Sequence, residues 1–192
     1  AAASGSSTMK LWRVASVNMG QSPPGETYNA SGVGAPLLNG PSEFGKRHPT
    51  AVQWTTSPSK LCKPGDILLC VRGATTGRMN WADREYCIGR GLTALTPERA
   101  VCIPQYLYGF VETQTQRMRG LAAGSTFLNL SGERLRLLDI PVPSFAEQRR
   151  VVEQLDRLQT KVEPLKDLQL GTAADLRKLL AAVLDRAFRG EL

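Results

Sequence analysis

Several kinds of chemistry are missing from this 192-residue chain. Its one histidine, His48, is followed by a proline in a polar stretch and has no serine or cysteine nucleophile motif beside it, so it reads as a surface residue. No Gly-x-x-x-x-Gly-Lys-Ser/Thr loop, no Gly-x-Gly-x-x-Gly turn and no His-Glu-x-x-His pair occurs, which leaves no expectation of a nucleotide cofactor or a catalytic zinc. Gly73-Ala-Thr-Thr-Gly77 looks like a phosphate cradle only superficially, because it lacks the lysine and leads into a strand rather than a helix. Cys62, Cys70, Cys87 and Cys102 follow neither a zinc spacing nor a small disulfide scaffold, and read as buried free thiols of a reducing cytoplasm. Among the carboxylates, Asp66 is explained by a turn, and Asp83 and Glu85 by a polar hairpin tip, so no metal-binding nuclease set is expected. No apolar run approaches the roughly 20 residues of a membrane span. What remains is a binding module without cofactor, metal or catalytic residues, and without a membrane partner.

Enough apolar sequence is present to fill a core: 42% of the chain, with low complexity confined to Ala1 to Thr8. That opening AAASGSST reads as a cloning remnant, with the natural chain starting at Met9. The net charge of +7 is unevenly spread. Residues 1–140 carry 15 Lys/Arg against 9 Asp/Glu, whereas 141–192 carry 9 against 8. A basic first part suits a polyanion, and a nearly neutral, highly charged second part suits protein.

The sequence predicts an α+β fold. Residues 10–60, rich in Gly, Pro, Ser and Asn, read mostly as loops. Ile67 to Val71 is a short apolar run bounded by turns, as a buried strand should be, and Arg78–Trp81, Tyr86–Ile88 and Leu92–Thr96 are short β-prone pieces. Together they predict a small, irregular antiparallel sheet. A helix follows from Pro104 towards Gly120, then a polar loop, a helical patch at Glu133–Leu138 and an extended Ile140 to Pro143.

Beyond Pro143 the pattern changes. Ser144-Phe-Ala-Glu147 is a capping box, the start signal of a helix. Val151, Leu155, Leu158, Val162 and Leu165 are spaced 4, 3, 4 and 3 apart, a heptad seam that Leu176, Leu179 and Val183 resume. Pro164 and the Gly171-Thr172 pair would permit a helical hairpin. However, Val162 to Leu176 and Leu165 to Leu179 are each two whole heptads, which keeps the seam on one face and favours a single long helix. Such a helix, roughly 67 Å long at 1.5 Å per residue, needs a partner helix to bury its seam.

Taken together, these residues resemble the specificity subunit of type I restriction-modification enzymes. The resemblance rests on Ile140-Pro-Val-Pro-Ser-Phe-Ala-Glu-Gln-Arg-Arg-Val-Val152, on Ala187-Phe-Arg-Gly-Glu-Leu192, on Gly65-Asp-Ile-Leu-Leu with Arg72-Gly-Ala-Thr-Thr-Gly77, and on Gly124-Ser-Thr-Phe-Leu-Asn-Leu-Ser131. It implies a small mixed α/β target-recognition domain over 9–143, which binds double-stranded DNA, and a conserved dimerisation and spacer helix over 144–192, forming a coiled coil. It also implies docking to methyltransferase (modification) subunits, and through them to a restriction subunit, in the cytoplasm. The family's usual subunit has two recognition domains and two helices. One of each, without an internal repeat, implies either a half-subunit that homodimerises and reads a palindromic, bipartite site, or one half of a longer protein. Candidate DNA-contacting residues are Arg72, Thr75, Thr76, Arg78 and Arg90, with Lys46, Arg47, Ser125, Thr126 and Asn129 behind them. Arginine can donate two hydrogen bonds to guanine, asparagine can pair with adenine, and hydroxyls reach phosphates or bases. Thr75, Thr76 and Asn129 could instead hold turns through local backbone bonds. A coiled-coil interaction adaptor with incidental basic charge, and a stand-alone dimeric repressor, are the competing readings.

Overall fold

Turn residues cut the first hundred residues into apolar pieces too short for long strands, and the computed structural model has strands of two to six residues there. It describes residues 7–121 and 129–189. The elements in chain order are β1 (Ser7–Lys10), α1 (Leu11–Val14), β2 (Ala15–Met19), β3 (Tyr28–Asn29), β4 (Ala35–Leu38), β5 (Gln53–Thr55), β6 (Leu61–Cys62), β7 (Ile67–Cys70) and β8 (Met79–Trp81). There follow β9 (Tyr86–Ile88), β10 (Leu92–Pro97), α2 (Pro104–Leu121), α3 (Gly132–Arg136), β11 (Asp139–Val142) and α4 (Phe145–Phe188). The fold is mixed α/β with antiparallel sheets. Two compact units divide the chain, 1–149 and 150–192. The capped first turn of α4 therefore belongs to the first unit.

In place of one small sheet the strands form three, ordered β1-β11, β2-β10-β7-β8 and β3-β5-β4-β9-β6. The pairings are antiparallel except that of β4 with β9, where Leu37 and Leu38 face Cys87 and Ile88 in parallel. Residues 10–60, expected to be mostly loops, supply α1 and four of these strands. Their strands escape a sequence reading because pieces of two to five residues, interrupted by glycine and proline, show no alternation to detect. Ser7 and Thr8, expected to precede the natural start, pair with Val142 and Pro141 in the β1-β11 ladder.

The core follows from strand alternation. Leu68 and Cys70 of β7 and Leu92 and Ala94 of β10 share a buried cluster with Leu38 of β4, Cys62 of β6, and Tyr86 and Ile88 of β9, so the four- and five-stranded sheets bury one face each in a common layer. Ile67 and Leu69, on the other face of β7, are also fully buried, as a strand inside its sheet with both faces covered requires. All four cysteines are free and buried. Burial pushes the Cys62 thiol up to about 12 and the Cys102 thiol up to about 11, which keeps both protonated and inert at neutral pH.

At the end of the first unit, the Ser144 hydroxyl accepts from the Glu147 amide and caps α4. One residue on, Gln148 is 1% exposed and fully engaged. Its Oε1 accepts from Ile103 N at 2.8 Å, and its Nε2 donates to Pro143 O at 2.9 Å and Val101 O at 3.3 Å. In the second unit α4 continues with Pro164 inside it, and Leu155, Leu158, Val162, Leu165, Leu176, Leu179 and Val183 are all exposed, while Val151 is half-buried.

Candidate nucleic-acid interface

The β7–β8 connection is built to hold a loop still. Gly73 and Gly77 adopt φ of 77° and 85°, the left-handed region that suits a residue without Cβ. Around them the backbone closes on itself: Gly77 N donates to Cys70 O at 2.7 Å, Cys70 N to Arg78 O at 2.8 Å, and Arg78 N to Thr75 O at 3.0 Å. Thr115 of α2, only 2% exposed, adds a long hydroxyl bond to Gly77 O at 3.4 Å, tying the loop to the helix behind it. Little conformational entropy is left for a ligand to remove.

On this scaffold Arg72 and Arg78 are exposed, and Thr75 is half-buried with its hydroxyl 3.4 Å from Cys70 Sγ. Thr76 is different. Its side chain is 1% exposed and its hydroxyl donates to Gly73 O at 2.8 Å, so it holds the turn and does not face outward, a correction to its candidacy as a contact residue.

Two further segments meet the end of β7. Val71 N donates to Gly91 O at 2.9 Å, which brings the β9–β10 turn and its exposed Arg90 alongside, and Leu130 N donates to Val71 O at 3.0 Å, which brings exposed Asn129. Five of the sequence candidates, Arg72, Thr75, Arg78, Arg90 and Asn129, thus converge on one end of the four-stranded sheet from three separate segments. Lys46 and Arg47 do not join them. Their loop is fastened to the other end of the hairpin, where Trp81 N donates to Arg47 O at 3.0 Å. Ser125 and Thr126 lie outside the described residues.

Sequence reasoning passed over the loop after β2. Gly20 N donates to Leu92 O and Gln21 N to Ile88 O, both at 2.9 Å, while Ser22 Oγ accepts from Arg90 N at 3.3 Å. The fit is close: a Cβ on Gly20 would sit 2.2 Å from Gly89 O. Exposed Gln21 is therefore set beside Arg90. The only signal available was a glycine ahead of polar residues and the prolines 23 and 24, which marks a loop but not its neighbour.

The electrostatics suit an acceptor-rich polyanion. Arg72, Arg78 and Arg90 are exposed cations, and Asn129 adds an amide that can both donate and accept. Among the described residues no group of three or more His, Cys, Asp or Glu could hold a metal ion. Asp66 accepts from Lys63 N at 2.8 Å as a turn residue, and Asp83 takes a 2.6 Å bond from the Tyr86 hydroxyl, which holds its carboxyl below the usual range. Among the described residues no helix is long and apolar enough to cross a membrane.

Residues 5–169 match the type I restriction modification DNA specificity domain. The chain is 32% identical over 145 residues to a putative type I restriction enzyme MjaX specificity subunit of Methanocaldococcus jannaschii, covering 76% of this chain and 34% of that protein. It is 32% identical over 110 residues to the StySPI specificity subunit of Salmonella potsdam, covering 56% of this chain and 24% of that one. Among solved structures, the HsdS subunit of Thermoanaerobacter tengcongensis superposes with a TM-score of 0.80 at 38% identity, over 100% of this chain and 47% of that one. A chain from a structure of complex assembly and conformational transition in a type I R-M system gives 0.83 at 40% identity, over 98% and 47%. The chain therefore spans about half the length of the solved relatives, and about a third or less of these two curated ones.

Proposed function

Because the chain belongs to the type I restriction-modification DNA specificity family, we propose that it is a noncatalytic DNA-recognition subunit, reading one half-site of double-stranded DNA for methyltransferase and restriction chains that carry out the reactions. In this reading residues 9–143 are the target-recognition domain and 144–192 the spacer and dimerisation helix, working in the cytoplasm. The observation that carries it is the convergence of Arg72, Thr75, Arg78, Arg90 and Asn129 on one rigid end of the four-stranded sheet. Side chains of these types, offered from a hydrogen-bonded loop, match the acceptor-rich major-groove edges of base pairs.

The second half of the reading concerns α4. An exposed heptad seam from Leu155 to Val183 is costly in water, and a second copy of the chain would cover it with a matching seam. A two-fold pair of readers would recognise a palindromic, bipartite site, and the helices would set its spacing and dock the methyltransferase chains.

The test is a comparison of Arg72→Ala, Arg78→Ala and Arg90→Ala on the duplex the protein prefers. A base-contacting arginine loses about 1–3 kcal/mol of binding and relaxes the preference at one position. Unchanged affinity and preference in all three variants would contradict this assignment of the reading end.

A further inference from the structure

A basic concavity lies in the first unit, away from the reading end. Arg47, His48, Trp81, Arg99 and Gln105 line a cleft of about 240 Å³ with Gly65 in its wall. The two arginines, 52 positions apart in sequence, are brought there by separate devices. Trp81 N holds Arg47 O at 3.0 Å, Asn80 Nδ2 donates to Gly45 O at 2.8 Å, and His48 Nδ1 lies 3.1 Å from Trp81 O, so the Lys46–His48 loop is fastened along β8. Arg99 lies across Gly65, its Nη2 3.5 Å from where a Cβ on that residue would stand. Trp81 stacks on Tyr108 of α2, centroids 4.9 Å apart and planes within 14°, which stiffens the wall.

Among the described residues no carboxylate lines this cleft. Among the described residues neither Arg47 nor Arg99 is paired with one, and Asp83, the acid near His48, accepts a hydrogen bond from the Tyr86 hydroxyl. Both arginines are exposed, and two guanidinium groups lining one concave site attract an anion.

We propose that the cleft seats a phosphodiester of the DNA backbone. The inference rests on the DNA-recognition reading above and adds to it a sequence-independent contact. The register places the two basic ends a strand's length apart: Trp81 faces Ile67 at the cleft end, and Met79 faces Leu69 towards Arg72 and Arg78. At about 3.3 Å per residue that is roughly 10–16 Å, close to the ~12 Å width of a B-DNA major groove. A protein reading base edges with one end of the hairpin would thus meet a flanking strand of the same duplex with the other. Arginine's planar fork suits a phosphate oxygen pair.

The experiment measures binding of the full 192-residue chain to its preferred duplex and to a scrambled one between 50 and 200 mM salt. Arg47→Gln and Arg99→Gln are each expected to weaken binding about 5- to 10-fold on both duplexes alike, and to lower the slope of log K against log salt by about 0.9. Arg134→Gln, an exposed arginine on α3, serves as the charge control and is expected to leave the slope unchanged. An unchanged slope in both cleft variants, a loss confined to the preferred duplex, or an equal loss in the control would each overturn the proposal. Absence of salt-dependent DNA binding by the unaltered chain would instead overturn the DNA reading itself.

Discussion

Replacing Gln148 by leucine separates a hydrogen-bonded entry into α4 from one held by packing alone. Leucine has similar bulk but no amide, so three bonds at 2.8, 2.9 and 3.3 Å are lost together. Ile103 N, Pro143 O and Val101 O then lose their partner, at about 1–3 kcal/mol each if water stays out. All three residues are half-buried, which lets water reach some of these atoms and sets the expected loss at about 3 kcal/mol in total. The assay is urea unfolding followed by tryptophan fluorescence. Trp12, Trp54 and Trp81 all lie in the first unit, so the signal reports that unit alone. With a slope near 2 kcal/mol per molar, the midpoint should fall by about 1.5 M. Gln148→Glu sharpens the test. One carboxylate oxygen can keep the Ile103 bond, but the other would face the carbonyls of Val101 and Pro143 unless protonated. The introduced carboxyl should therefore have a folded-state pKa raised above the ordinary value near 4.3. Its contribution is fully present below the unfolded pKa and fades as pH rises through the raised folded pKa, so the variant should lie closer to the parent at pH 4 than at pH 7. A midpoint shift below about 0.3 M for Gln148→Leu, or no pH dependence for Gln148→Glu, would refute the reasoning.

Gly20→Ala should destabilise the first unit by about 2 kcal/mol and disturb the turn carrying Arg90, since the new methyl would meet the backbone oxygens of Gly89, Ile88 and Leu92 at 2.2, 2.7 and 2.8 Å; urea unfolding with a DNA-binding assay checks both effects. With thiols raised to about 12 and 11, Cys62 and Cys102 should resist a thiol reagent at pH 8 until the protein unfolds. The same shifts should lower stability from about pH 9 upward, where unfolded cysteines ionise and the buried pair does not, as a pH series of unfolding midpoints would show. On the proposed pairing of α4, Leu158→Asp combined with Leu179→Asp should leave tryptophan-reported unfolding unchanged and give a monomer by light scattering where the unaltered chain gives a dimer.

How far the fold could be read from the sequence depended on how its signals are spaced. Ile67–Cys70 was legible because four apolar residues stand between turn signals, and the start of α4 because Ser144 and Glu147 stand three apart. The strands at Tyr28–Asn29, Gln53–Thr55 and Leu61–Cys62 carry no such signal. They exist because partners distant in the chain satisfy their backbone groups, as Leu61 finds Cys87. The split into separate sheets was hidden for the same reason. At the candidate site the chemical types were legible and their grouping was not. Arg72, Arg90 and Asn129 meet through bonds from Val71 to Gly91 and from Leu130 to Val71, contacts between turns that no periodicity announces. Thr76 and Thr75 look alike in sequence, and only burial separates the turn-holder from its neighbour.

The most direct test of the central claim is selection of bound sequences from a randomised duplex pool by the intact chain at about 100 mM salt. The account predicts enrichment of one discrete sequence, present as two inverted copies at a fixed separation. Recovery of the pool without enrichment, with binding no stronger than that of an equally basic unrelated protein, would contradict it.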